Sequence, residues 1–344
     1  MTVDQTRDPP RRRDARRSAR RWVTSRLTGL AVRVAPRLRP AGAEWVGRVV
    51  ARLGPRMPIV ARVVADNMRA ASVFTPAGHR GYFEQLGQHF AGALHALAGR
   101  PDDLARIARD QVDLDESIRR LREVIAPDRG IILVGPHIAN YLLGLTRLNQ
   151  ELPLTVYLRH SADTTRQVAK ERWYRASGVQ WIAEPRDAAR PLARLSAMGA
   201  AVQAGRVLFI TPDLPQKRDV GTPVRFFERE VYLPAGPAAL AARTGAPLFF
   251  LMAQRTPMGQ RLAVRGPFVA PGMGREGRRE VVAAGVQWFA AALERFLVEQ
   301  TPLWYLWGDK RWTRVFRGDP RYVGPTATPH RGATCPAPAC SGVT

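Results

Sequence analysis

The chain runs to 344 residues with 45% hydrophobic content, which supplies one large core or two smaller ones and excludes a generally disordered polymer. Its formal charge of +24 is carried almost wholly by arginine, Lys170, Lys217 and Lys310 being the only lysines. A positive balance of that size points to an anionic partner: nucleic acid, an anionic membrane surface or an acidic carrier protein.

Residues 1–20 read as a disordered basic arm, with arginines paired or tripled at Arg11-Arg12-Arg13, Arg16-Arg17 and Arg20-Arg21. From Trp22 the pattern turns helical. Trp22, Val23, Leu27, Leu30, Ala31 and Val34 recur at helical spacing with Arg21, Arg26 and Arg33 between them, until Pro36. Trp45, Val46, Val49, Val50 and Leu53 repeat the design between Arg48 and Arg52. Basic amphipathic helices with a terminal Trp fit a membrane interface, and they equally fit helices packed on a core with a solvated basic face. Residues 21–55 are therefore expected at a membrane surface, as part of a single α/β domain over 21–319. Arg26 and Arg33 interrupt any apolar region of a signal peptide, and no run reaches the eighteen apolar residues of a spanning helix. A cytoplasmic chain on or near a membrane is the expectation.

Helical spacing continues from Pro58 to Gly99, where His89 and His95 stand six residues apart on different faces and are expected in surface or satisfied core roles. Asp113, Asp115 and Glu116 mark a helix start before Ile118, Leu121 and Val124. Asp128-Arg129-Gly130 then turns into a strand, Gly130 to Val134, whose continuous apolar run suits a strand buried on both faces. Gly135-Pro136 stops it, His137 follows, and Asn140, Tyr141, Leu142, Leu143 and Leu145 open an apolar helix. His137 thus stands where a strand gives way to a helix, the place where open α/β sheets hold their sites.

Further strands are predicted at Pro153–Leu158, Val179–Ile182, Arg206–Thr211, Leu248–Ala253 and Arg261–Gly266. Helices fall at Thr164–Ser177, Ala188–Ala204, after Leu233-Pro234-Ala235-Gly236-Pro237, and at Val281–Glu299. Alternation of this kind implies a mostly parallel central sheet flanked by helices, joined by right-handed crossovers. Asp213 directly follows the Arg206–Thr211 strand and should surface on the same edge as His137. Residues 320–344, rich in Pro, Thr, Ala and Gly, read as a disordered tail; Cys335 and Cys340 lie in it without further ligands and are expected to be incidental.

Four blocks in order carry a resemblance: Gly135-Pro136-His137 with Asn140, Arg159 closing a strand, Phe226-Phe227-Glu228-Arg229 after Asp213, and Pro302 to Trp307 followed by Lys310-Arg311-Trp312. Together they resemble the lysophospholipid acyltransferase superfamily, in its branch of late lipid A biosynthesis acyltransferases. The resemblance implies a glycerol-3-phosphate acyltransferase-like fold and an enzyme on the cytoplasmic face of the inner membrane. That enzyme would move a fatty acyl group from a thioester of acyl-carrier protein or CoA to a lipid hydroxyl, with no metal, no cofactor and His137 as general base. It also marks Arg159, Lys217, Arg218, Arg229 and Gly236 as substrate-binding candidates, the last because a helix start leaves backbone N–H groups free for an anion.

Family members carry Asp or Glu five positions after the histidine, and here that position is Leu142. Glu228 replaces the usual glycine of its block, and Asp309 stands where a histidine is common. Three arrangements stay open. Asp213 or Glu228 substitutes for the missing acid, Asn140 orients the ring through an uncharged bond, or the chain is a catalytically degenerate lipid-binding homologue. Nucleic-acid binding rests on charge alone, since no zinc-ligand pairs and no RNA-recognition signature accompany it.

Overall fold

The computed structural model describes residues 25–138, 140–184, 191–257, 259–270 and 277–325. The basic arm, Trp22 and both cysteines lie outside the described residues. Seven strands form the central sheet in the order β1-β9-β8-β2-β5-β3-β4. These are β1 (Val112–Leu114), β2 (Ile131–Val134), β3 (Leu154–Leu158), β4 (Gln180–Ala183), β5 (Val207–Ile210), β8 (Leu248–Thr256) and β9 (Gly259–Phe268). The five strands from β8 to β4 run parallel, while β9 turns back antiparallel to β8 and carries β1 alongside it. The α/β architecture with a mostly parallel sheet is as the sequence indicates.

The centre of the sheet explains the apolar run before His137. All four residues of β2 are buried, because β5 and β8 flank it and helices cover both faces. One face packs on α7 (Tyr141–Asn149), against which the long α4 (Pro76–Ala98) lies in turn, the other on α10 (Gly236–Thr244) and α11 (Arg278–Glu299). α11 corrects one expectation: by length and composition it is a helix able to cross a membrane. Its Val286, Phe289, Leu293, Phe296 and Leu297 are buried in the domain core, which makes it a core helix in this fold.

Several elements escape the sequence patterns. Asp113 belongs to β1, while Asp115 is the N-cap of α6 (Glu116–Val124), its side chain accepting from the Ser117 N–H at 2.9 Å. The Phe226–Arg229 block is the turn of a separate hairpin, β6 (Thr222–Phe226) with β7 (Arg229–Leu233). The tail begins later than expected: Tyr322 is buried and Val323 bridges to Val231, so the packed chain continues past residue 320.

At the N-terminal end, α1 (residues 25–34) and α2 (Pro40–Leu53) lead into α3 (Pro58–Ala70). α2 crosses α4 closely at a pair of glycines, since a Cβ on Gly47 would stand 2.7 Å from the Gly87 carbonyl oxygen. That crossing buries Ala43 and Gly47 and leaves Trp45 and Leu53 outside. Leu27, Leu30 and Val34 of α1, then Met57 and Ile59, are exposed as well, with Arg33, Arg37, Arg48, Arg52 and Arg56 exposed among them.

Candidate active site

Register brings the site together. Val134 of β2 pairs with Ile210 of β5, and each chain runs three residues further to its ionisable group, His137 on one strand and Asp213 on the other. Two parallel neighbours cut at the same level deliver both side chains to the carboxyl edge of the sheet.

Asp213 is completely buried, and its acceptors are fully engaged. One carboxylate oxygen lies 2.5 Å from His137 Nδ1. The other accepts the His137 backbone N–H at 2.7 Å and the Trp304 indole N–H at 2.9 Å. The Asp213 carbonyl accepts from the Trp312 indole, also at 2.9 Å. Trp304, Trp307 and Trp312 are all fully buried and meet edge to face, with Trp304 centroids 4.8 and 5.0 Å from the other two. The aromatic wall covers the carboxylate while the Trp304 indole N–H, the His137 backbone N–H and the imidazole satisfy it, which is how a buried charge is tolerated.

A carboxylate only accepts, so His137 Nδ1 must carry the proton in that bond, and Nε2 is left with its lone pair. Nε2 has Thr211 Oγ1 at 3.4 Å, and the imidazole is 28% exposed, so it opens to the surface. The backbone is held as firmly as the ring: the Tyr305 N–H donates to the His137 carbonyl at 2.8 Å, and Ile138 bridges Trp304. The result is an oriented base beside an anion that stabilises it once charged.

The other candidates take different places. Asn140 sits just before α7 with φ of +58°; among the described residues its Oδ1, buried against Gly92 of α4, has no hydrogen-bond partner. Leu142 is buried on the inner face of α7. Glu228 is corrected as a replacement acid: it is 90% exposed at the hairpin tip, where its nearest cation is Arg225 at 4.0 Å. Phe227 and Glu228 have φ of +46° and +58°, a two-residue turn that favours glycine, which gives a physical reason for the glycine expected there. Arg229 is a tether, donating to the Ala70 carbonyl at 3.3 Å and lying over the Phe316 ring.

Arg159 follows β3 on the same edge as His137, 69% exposed, with Glu184 at 3.8 Å. Lys217 and Arg218 are exposed in the loop after Asp213. Gly236 begins α10, which descends to the start of β8, so its free N–H groups lie at the carboxyl edge; a Cβ there would meet nothing within 4 Å. Asp309, in place of a histidine, caps α12 (Lys310–Phe316) by accepting from the Arg311 N–H at 2.7 Å.

A bacterial lipid A biosynthesis acyltransferase model matches residues 80–314, more than half of the chain. The chain belongs to this family. None of the curated proteins matches it. The matched span takes in His137, Asp213 and all three tryptophans of the wall, so the family's region and the geometric site coincide. An acyltransferase of lipid biosynthesis is what membership in the lipid A acyltransferase family describes.

Sequence reasoning missed how Trp304 and Trp312 serve the site, although both stood inside quoted blocks; nothing in a linear pattern says that an indole N–H faces an aspartate. It also assigned His95 and His89 alike. His95 fits, with Nε2 at 3.0 Å from Glu44. His89 does not: its buried Nδ1 has no partner among the described residues, and its ring lies against Tyr141 and Tyr305, the residues that flank the His137 segment.

Proposed function

We propose that this protein is an O-acyltransferase that moves a fatty acyl group from an acyl thioester to a lipid hydroxyl, with His137 as general base and Asp213 as the carboxylate that orients it. The 2.5 Å contact between His137 Nδ1 and Asp213 carries the reading. Nε2 takes the proton of the acceptor hydroxyl as the oxygen bonds to the thioester carbonyl carbon, and the carbonyl electron pair moves onto its oxygen. Collapse of that tetrahedral species breaks the carbon–sulfur bond, and the imidazolium returns its proton to the departing thiolate. Asp213 thereby does the work that Leu142 cannot, which answers the motive for a catalytically silent lipid-binding protein.

Acyl-carrier protein or CoA is the proposed donor carrier, and the cytoplasmic face of the inner membrane the proposed location. Arg159, Lys217, Arg218 and the Gly236 end of α10 are assigned to the anionic parts of donor and acceptor. The exposed apolar and arginine residues of α1 to α3 support contact with an anionic bilayer, and vesicles with anionic lipid should retain the protein more strongly than neutral ones.

Purified protein given palmitoyl-CoA and a lysophospholipid or glycolipid acceptor is expected to release free thiol and yield acylated lipid. His137→Ala should remove this activity while the protein remains folded. Undiminished release by that variant ends the proposal, and lipid binding without turnover by the wild type favours the silent homologue.

A further inference from the structure

Helix α4 packs on α7 and on the turn that begins at Thr301, and it comes closest to the segments beside His137 at two glycines. A Cβ on Gly81 would stand 3.1 Å from Pro302, and one on Gly92 would stand 2.3 Å from Asn140 Oδ1. Between these touchdowns, on the same helical face, come Gln85 and His89. Pro302 leads directly to Trp304 and Tyr305, and Asn140 to Tyr141, so His89 lies against the residues on either side of the catalytic segment, with Gln85 one turn before it on α4. Both are left incomplete. Among the described residues, the almost fully buried Gln85 has no hydrogen-bond partner for either amide atom, and the buried His89 Nδ1 has none either.

Unpaired buried polar groups are costly, and a pair of them on one helix face beside a base asks for a ligand. The His89 ring is fixed by packing: it stacks on Tyr141 with centroids 5.7 Å apart and tilts against Tyr305 at 5.0 Å. Burial, reinforced by the positive charge that His137 can carry nearby, pushes His89 down to about 4. The imidazole therefore stays neutral when its neighbour takes up a proton. A neutral imidazole is still an N–H donor, and with no partner to fix its tautomer the proton is free to reside on Nδ1.

The geometry points to His89 as a second substrate-contacting residue, whose Nδ1–H donates to the thioester carbonyl oxygen as that oxygen gains charge, with Gln85 one turn away holding an uncharged oxygen of the same substrate. This rests on the acyl-transfer reading and deepens it. His137 and Asp213 handle the proton, and neither can serve the oxyanion while doing so. Neutral donors suit the task because they strengthen their bond as charge develops without competing for the proton His137 has taken.

The test exploits the missing partners. Replacing an unpaired buried polar group by a hydrocarbon of similar size loses no protein hydrogen bond, so His89→Leu and Gln85→Leu should melt at or above the wild-type temperature. With palmitoyl-CoA and lipid acceptor, His89→Leu is expected to lower kcat by roughly 10²–10³ with little change in KM. Gln85→Leu should chiefly raise KM. His89→Asn, whose amide nitrogen falls near the position of Nδ1, should recover about tenfold or more of that kcat, a rescue that a packing role would not give. Wild-type kcat in His89→Leu, or His89→Asn no better than His89→Leu, overturns the inference. If the wild type itself releases no thiol, the acyl-transfer reading fails instead. Calorimetric binding of palmitoyl-CoA then tests the subsite separately, with about fivefold weaker binding to Gln85→Leu expected and equal binding overturning it.

Discussion

Asp213 and Glu228 both follow β5, and on sequence either could replace the carboxylate missing at Leu142. Their surroundings separate them. Asp213 is sealed behind three tryptophans, with a histidine ring, a backbone N–H and an indole N–H all directed at its oxygens. Glu228 projects into water from a hairpin tip beside Arg225. A carboxylate influences a neighbouring base strongly only where water does not screen it and donors fix its direction. Enclosure, more than nearness in the chain, makes the difference.

The sharpest way to break this comparison is to neutralise each acid. Asp213→Asn should lower thiol release by roughly 10⁴, as loss of the orienting carboxylate does in hydrolytic triads, because an amide can present its N–H₂ to the Nδ1–H. Glu228→Gln should leave turnover at the wild-type level. Turnover in Asp213→Asn within tenfold of wild type would dissolve the distinction.

A pH titration probes the opposite wall of the site, where His89 lies against Tyr141, Tyr305 and the field of His137. Burial holds the folded ring down at about 4, against the ordinary 6.5 of a histidine, so below 6.5 the unfolded chain binds the proton that the folded chain refuses. Stability should therefore be complete above about 6.5 and fall as pH drops towards 4. That loss amounts to up to ~3 kcal/mol beyond what His89→Leu shows in denaturant melts at the same pH values. Parallel curves for the two proteins would mean that the ring is not desolvated.

Smaller effects sharpen the geometry. Gly92→Ala drives a methyl group into Asn140 Oδ1 and should cost about 1–3 kcal/mol in denaturant unfolding, with reduced turnover as the His137 segment shifts. Glu228→Gly relieves a left-handed backbone at the hairpin tip and should stabilise by roughly 0.5–1 kcal/mol without touching activity. A destabilised Glu228→Gly would show that the turn carries a contact beyond its backbone.

Much of the sheet could be read from the chain because β2, β3 and β5 are short, mostly apolar stretches set between helical periodicities and bounded by Gly or Pro on at least one side. The hairpin β6–β7 and the brief β1 could not: β6 contains a proline and an arginine, and β1 is three residues whose pairing partner lies beyond residue 250. His137 was legible as a histidine at a strand end. Asp213 was legible as one of two acids. Trp304 and Trp312 were legible only as aromatic residues, since an indole N–H declares its partner only in three dimensions.

By itself, the sequence determined the parallel α/β class, the position of His137 after a buried strand and the absence of an acid at Leu142. Those features are local, fixed by the period of apolar residues and by which side chains can titrate. Tertiary structure alone decided which acid reaches the imidazole, because that depends on the register of β2 against β5 and on a tryptophan wall brought in from the far end of the domain. It also decided where His89 lies, since only the packing of α4 against the segments on either side of His137 brings that ring against Tyr141 and Tyr305.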